Sequence, residues 1–98
     1  NELSKWATEN ALSNYGNSYS VFNEYMTWSV FTLYAFDNYK SENFEFINNQ
    51  IELQMTERRG FKKFKEFNQK LIKLYKGKSA NEKIKDLYPK IIFWCKEQ

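Results

Sequence analysis

Residues 58–76 decide the fold, and they read RRGFKKFKEFNQKLIKLYK. At about 100° per residue of a helix, the apolar side chains of this stretch fall in a stripe roughly 160° wide, and the lysines occupy the rest. The apolar set is Phe61, Phe64, Phe67, Leu71, Ile72, Leu74 and Tyr75. We therefore predict an amphipathic helix that ends near Lys76 and Gly77, with one face in the core and the other cationic.

The other segments predict further helices that pack around this one. The spacing of apolar residues, with polar capping residues or glycine at the boundaries, places them at residues 2–14, 17–39, 41–57 and 79–96. The 17–39 segment is apolar nearly all round, so we expect it to be the central helix. The last segment should bend before Pro89, because proline is tolerated only in the first turn of a helix. The predicted fold class is all-α, a single compact bundle of about five helices over residues 1–98.

An alternative α+β fold remains open for the middle of the chain. Residues 44–47 and 51–53 can be read as a hairpin about Asn48 and Asn49, with residues 28–36 as a third strand of a small antiparallel meander. The helical interpretation is preferred because the spacing of three and four residues continues without a break into Met55, and because Glu, Gln and Met favour helix.

The length of the chain allows one domain with one core, but not two. Because the first residue is Asn1 rather than Met, we expect the chain to be a piece of a longer protein. Its first partner would then be the amino-terminal remainder of that protein. The apolar stretch 19–36 contains too many polar side chains to predict a membrane span.

Charge divides the chain into two unlike parts. Residues 1–56 carry Lys5 and Lys40 against seven acids, a net charge of −5, whereas residues 57–98 carry thirteen Lys or Arg against five acids, a net charge of +8. Two interpretations follow. Either the two parts pack together through complementary surfaces, or the basic part binds an anionic partner.

Eight of the basic residues that could bind such a partner lie within residues 58–76: Arg58, Arg59, Lys62, Lys63, Lys65, Lys70, Lys73 and Lys76. They form either a solvated face or a binding surface for an acidic protein or nucleic acid. Nucleic acid is the weaker choice, because the phenylalanines face the core and cannot stack on bases. Lysine also lacks the bidentate fork of arginine.

Several kinds of catalytic site are excluded by composition. The chain has no histidine and a single cysteine, so it has no internal disulfide, no histidine-activated nucleophile and none of the usual zinc-ligand spacings. Cys95 follows Trp94 in an apolar run and is predicted to be a core residue. The acids Glu42, Glu45 and Glu52 are predicted to lie on the solvated face of their helix.

Glu24 is the acid that stands out. On a helix it shares a stripe with Trp28 and Phe31. A carboxylate there lies at a solvated edge or, if buried, needs a cation, a hydrogen-bond donor or a metal ion to offset its desolvation. Arg58, Arg59 or a lysine could supply that cation.

Three segments carry a resemblance to a known family: residues 23–28 (NEYMTW), 59–68 (RGFKKFKEFN) and 87–95 (LYPKIIFWC). Together they resemble the carboxy-terminal part of an uncharacterised bacterial family that is similar to gluzincin-type zinc metallopeptidases. The resemblance covers about residues 20–96.

The resemblance implies that a longer protein would carry an H-E-x-x-H helix upstream, with two histidine ligands to zinc and a glutamate as general base. A glutamate that follows an asparagine on a later helix supplies the third ligand in such proteins, which corresponds to Glu24 after Asn23. The chain itself has no histidine, so the resemblance implies a helical subdomain that supports an active site and is inert alone, with no cofactor of its own.

Overall fold

The structure is a computed structural model that describes residues 2–98, and it confirms the predicted all-α bundle. Its five α-helices are α1 (Glu9–Leu12), α2 (Ser18–Asn38), α3 (Ser41–Leu53), α4 (Phe64–Gly77) and α5 (Tyr88–Lys96). Two 3₁₀ turns, Glu2–Lys5 and Ile84–Leu87, precede α1 and α5, and a π-helical turn, Gln54–Arg58, extends α3. No strand occurs in the described residues, so the antiparallel meander is excluded.

The amino-terminal segment is not the single helix predicted for residues 2–14. Residues 6–8 are held between the 3₁₀ turn and α1 by main-chain hydrogen bonds to residues 60–62. The Thr8 N–H donates to the Gly60 carbonyl (2.9 Å), and the Lys62 N–H donates to the Trp6 carbonyl (3.0 Å). Thr8 is also the N-cap of α1, because its hydroxyl accepts from the Ala11 N–H. A contact distant in sequence therefore interrupts the helix.

Helix α2 begins where the sequence predicts, at the N-cap Asn17, whose side-chain oxygen accepts from the Ser20 N–H (2.8 Å). It packs against α3 and α4. The expectation of neighbours on several sides is wrong for one side of the helix, where Tyr19 and Tyr34 are exposed. Helix α2 therefore packs against α3 and α4 on one side and is exposed to solvent on the other.

Helix α4 confirms the predicted amphipathic pattern. Phe64, Phe67, Leu71 and Ile72 are buried. The helix starts three residues later than the apolar stripe, because residues 61–63 form a turn. One face of α4 is therefore buried in the core, and its opposite face carries lysines.

The carboxy-terminal segment corrects one prediction and confirms another. The helix predicted to begin at Ser79 is absent. The Glu82 carboxylate does accept from the Ser79 N–H (2.9 Å), but the Asp86 carboxylate accepts from the Lys83 N–H (2.8 Å), and the 3₁₀ turn starts there instead. Pro89 lies in the first turn of α5, as predicted.

Tyr25 lies at the centre of the core and joins three parts of the chain. Its ring lies 5.5 Å from that of Trp6, 5.6 Å from that of Phe61 and 5.2 Å from that of Phe67, centroid to centroid. Its hydroxyl donates to the Trp6 carbonyl and accepts from the Lys63 N–H. Burial raises the pKa of this hydroxyl above its usual range, so it remains a donor at all ordinary pH values.

Within residues 2–98, none of the helices combines the length and the apolar character that a membrane span requires.

Candidate functional site

Glu24, the predicted third zinc ligand, lies beside Arg59. Its Oε1 atom accepts from Nη2 of Arg59 at 2.8 Å, and both side chains are partly buried. The same guanidinium donates to the Tyr15 hydroxyl (3.0 Å) and lies over the ring of Phe61, with its carbon 5.2 Å from the centroid. Among the partners predicted for Glu24, the one present in the structure is Arg59, whose guanidinium also contacts the rings of Tyr15 and Phe61.

Arg59 neutralises the Glu24 carboxylate without a metal ion. A cation bound at the Glu24 carboxylate would lie next to the guanidinium and be repelled by it. Among the described residues, no group of three or more His, Cys, Asp and Glu side chains is placed to hold a metal ion. The two histidine ligands of the predicted site belong to a longer protein, so its zinc chemistry stays a prediction.

The cationic residues of the decisive stretch fall into two sets. Arg59 points inward, towards Glu24. Before α4, the Lys62 ammonium donates to the Ser4 carbonyl (3.0 Å), and the Lys63 ammonium lies 5.9 Å from the centroid of the Trp6 ring. The exposed Arg58 donates to the Gln54 side chain (3.5 Å). These side chains therefore contact other parts of the same chain.

The second set lies on α4 and forms what we call the cationic stripe: Lys65, Lys73 and Lys76. All three are exposed, and spacings of eight and three residues put them on one side of the helix. Lys70 is half-buried, in a shallow groove between α4 and α5. The predicted basic surface is therefore narrower than the sequence indicates, and its accessible centre is the cationic stripe.

None of the three lysines of the cationic stripe pairs with a carboxylate of residues 3–98. Lys76 lies over the Phe36 ring, with its nitrogen 5.1 Å from the centroid, a contact that leaves its charge in place. Glu45 of α3 lines the same shallow groove as Lys73 and Lys76 without forming an ion pair with either.

This pattern bears on the two interpretations of the divided charge. In the described part of the chain, the ion pair between Glu24 and Arg59 is the one recorded link between a carboxylate of the acidic part and a cation of the basic part. The two parts do pack together, but mainly through apolar surface and neutral polar groups rather than through ion pairs. Their opposite charges are therefore largely left free for solvent or for a partner.

A buried polar cluster that the sequence did not predict lies between α2, α3 and α4. At its centre, the Asn68 carboxamide oxygen accepts from the hydroxyls of Ser29 (3.0 Å) and Thr32 (2.6 Å). The Asn68 nitrogen donates to Asn48 (2.7 Å) and to the Glu52 carboxylate (2.9 Å). Ser29, Thr32, Glu52 and Asn68 are all buried. The prediction that Glu52 is solvated is wrong.

The geometry of this cluster indicates a structural role. Every buried side-chain nitrogen and oxygen among the described residues has a hydrogen-bond partner, so the cluster leaves no polar atom free for a substrate. A signal for it was present in the sequence. Asn48 and Glu52 continue the apolar stripe of Phe44 and Met55 at helical spacing, which places two polar groups on a buried face.

Cys95 is half-buried, as part of the wall of a cleft rather than at the centre of the core. Burial raises the pKa of its thiol to about 11. The thiol is therefore protonated at neutral pH, which is the opposite of what an activated nucleophile requires.

The chain matches no protein-family model, no curated protein and no solved structure.

Proposed function

We propose that this domain is a non-catalytic helical binding module, and that the cationic stripe of α4 binds an acidic polypeptide. The observation that carries the proposal is the exposure of Lys65, Lys73 and Lys76 without a carboxylate partner in the described residues. A surface of this kind attracts anions and repels cations.

The spacing of the stripe sets the scale of the interaction. Eleven residues separate Lys65 from Lys76, which corresponds to about 16 Å along the helix axis. Exposed ion pairs contribute about 0.2–1 kcal/mol each. Because charges at such a surface are screened over about 10 Å at 0.1 M salt, we expect weak and strongly salt-dependent binding.

An acidic polypeptide fits this surface better than a nucleic acid does. Arg59, whose fork could hold a phosphate in bidentate fashion, is occupied by Glu24. The α4 rings that could stack on bases, Phe64 and Phe67, are fully buried. On α4 the accessible cations are a row of ammonium groups, which can pair with successive carboxylates without the planar recognition that phosphates or bases require.

The proposal can be tested by titrating the full chain into fluorescently labelled poly-L-glutamate at low ionic strength. Duplex and single-stranded DNA of matched charge serve as comparisons. We expect poly-L-glutamate to bind with an affinity that falls steeply with added salt, and DNA of either form to bind no more tightly. Tighter binding to DNA would mean that the cationic stripe binds nucleic acid instead of an acidic polypeptide. Absence of salt-sensitive binding to either polymer would leave the stripe as a solvated face.

The metallopeptidase interpretation remains a prediction about a longer protein. It expects the change Glu24→Gln to abolish peptidase activity in that protein while its helical fold, followed by circular dichroism, is kept. Unchanged turnover would remove Glu24 from the active site. The ion pair with Arg59 supports this interpretation less well than the exposed lysines support the binding module, because the guanidinium already occupies the carboxylate.

A further inference from the structure

A cleft of about 250 Å³ opens between α2, α4, α5 and the amino-terminal 3₁₀ turn. Its walls are mainly apolar and include Trp6, Val21, Phe22, Phe67, Ile92 and Cys95. Protein interiors contain few voids larger than a water molecule. An engineered apolar cavity of about 150 Å³ binds benzene, so this cleft can hold an apolar group larger than a single benzene ring.

Aromatic contacts support the walls of the cleft. The ring of Trp6 packs edge-on against Trp94, with 6.1 Å between centroids, and the ring of Phe22 packs in the same way against Phe67, with 6.0 Å between centroids. Edge-to-face pairs of buried rings contribute beyond their buried area. The cleft is therefore a preformed feature of the fold, as apolar ligand sites usually are.

The polar part of the lining is confined to two exposed residues. Ser18 is the first residue of α2, and Lys96 is the last residue of α5. The first turn of α2 is positively polarised and the last turn of α5 is negatively polarised, and the full positive charge of Lys96 outweighs the latter. Among residues 3–98, whose side chains the structure describes, no Asp or Glu lines the cleft. The charge at this edge therefore complements an anionic group.

We infer that the cleft binds a small amphiphilic carboxylate, with an acyl chain or aromatic ring against the walls formed by Phe22 and Ile92 and its carboxylate towards Lys96. Apolar burial provides the affinity, and Lys96 fixes the orientation. This site lies on different residues from the cationic stripe, so an experiment that refutes one of the two proposals leaves the other untouched.

Octanoate is a suitable probe, with octanol as the matched molecule that lacks the charge. We expect octanoate to change tryptophan fluorescence in a saturable way, through Trp6, and to raise the thermal midpoint of the full chain. Octanol should bind more weakly, because it cannot pair with Lys96. Absence of saturable binding by octanoate, or equal binding by octanol, would overturn the proposal.

Variants locate the binding in the cleft. Ser18→Trp places a large side chain at an exposed edge position and should abolish binding. Lys96→Gln should weaken octanoate binding about two- to fivefold, as expected for an exposed ion pair, and leave octanol unaffected. Lys85→Gln removes an exposed lysine that does not line the cleft, and it should change neither. An equal effect of both lysine changes would show that the carboxylate responds only to net charge.

Cys95 provides a readout that needs no variant. Its side chain lines the cleft, so a bound acyl chain should slow its alkylation by iodoacetamide, in proportion to occupancy. Octanoate that left the alkylation rate unchanged, or raised it, would place the ligand elsewhere and contradict the assignment.

Discussion

Asn68 joins three helices through a single carboxamide. Its oxygen accepts from two hydroxyls of α2, and its nitrogen donates to two side chains of α3. No hydrocarbon side chain could satisfy these groups, and each buried polar group left without a partner costs about 1–3 kcal/mol. Asn68 therefore selects one packing arrangement of α2, α3 and α4.

The change Asn68→Ala should lower the free energy of unfolding by about 3 kcal/mol, because it leaves the buried Ser29 hydroxyl without its partner and removes one of the two donors to the buried Glu52 carboxylate. Urea unfolding measures this loss. The neighbouring Gln69 is exposed, and Gln69→Ala should stay within about 0.5 kcal/mol. Equal effects of the two changes would show that the cluster contributes nothing specific.

Gly60 is required for its conformation and for the close approach of Thr8. Its φ angle is +80°, and a Cβ atom there would lie 2.2 Å from the Thr8 hydroxyl oxygen. We expect Gly60→Ala to destabilise the protein by about 2 kcal/mol or more. Gly77→Ala is the matched control, because no atom lies within 4 Å of the added carbon. It should be neutral or stabilise by up to about 1 kcal/mol. Similar thermal midpoints for the two variants would contradict this account.

At the scale of elements, the amino-terminal segment is attached to the bundle by main-chain bonds to residues 60–62 and by the Tyr25 hydroxyl, in addition to the packing of the Trp6 ring. No helical pattern predicts such an attachment, because it joins positions more than fifty residues apart. The helices themselves were predictable wherever a periodic apolar face coincided with a capping residue, as at Asn17. The prediction failed at Ser79, where a capping pattern was present and the 3₁₀ turn nevertheless started later.

The change Tyr25→Phe should release this segment while keeping the helices. It removes the hydroxyl that bridges the Trp6 carbonyl and the Lys63 N–H, at a cost of about 1–2 kcal/mol. Amide hydrogen exchange should become faster at Thr8 and Lys62, and change less within α3. Tyr34→Phe alters an exposed tyrosine and should leave exchange unchanged. Uniform acceleration over all helices would show that Tyr25 acts on global stability alone.

At the scale of the whole molecule, burial makes stability depend on alkaline pH. The Cys95 thiol has a pKa of about 11 in the folded chain, against a usual value of 9.0. Its neutral form is favoured by folding, so this contribution is complete below pH 9 and is lost as pH rises towards 11. The raised pKa of Tyr25 acts in the same direction at higher pH.

Urea unfolding between pH 9 and pH 11 should therefore show falling stability in the unmodified chain. The variant Cys95→Ala should show a smaller decline over the same interval, because the thiol no longer contributes. Equal slopes for the two proteins would mean that the thiol ionises alike in the folded and unfolded states.

The candidate site was predictable in outline but not in detail. The lysine pattern located the cationic face of α4, because exposure on a helix follows from spacing. It did not distinguish Arg59, which turns inward to Glu24, from the exposed Lys65, because that difference depends on how α4 and the turn before it pack on α2. The cleft beside Cys95 could not be predicted, because it depends on four segments meeting in space.

The most direct test of the proposed function is charge reversal in the binding assay with poly-L-glutamate. One variant changes Lys65, Lys73 and Lys76 to glutamate. Its control changes the exposed Lys40, Lys83 and Lys85 to glutamate, which alters the net charge equally but leaves the cationic stripe intact. We predict at least about a tenfold loss of affinity for the first variant and a much smaller loss for the control. Equal losses would contradict a localised binding surface, since they would show that only net charge matters.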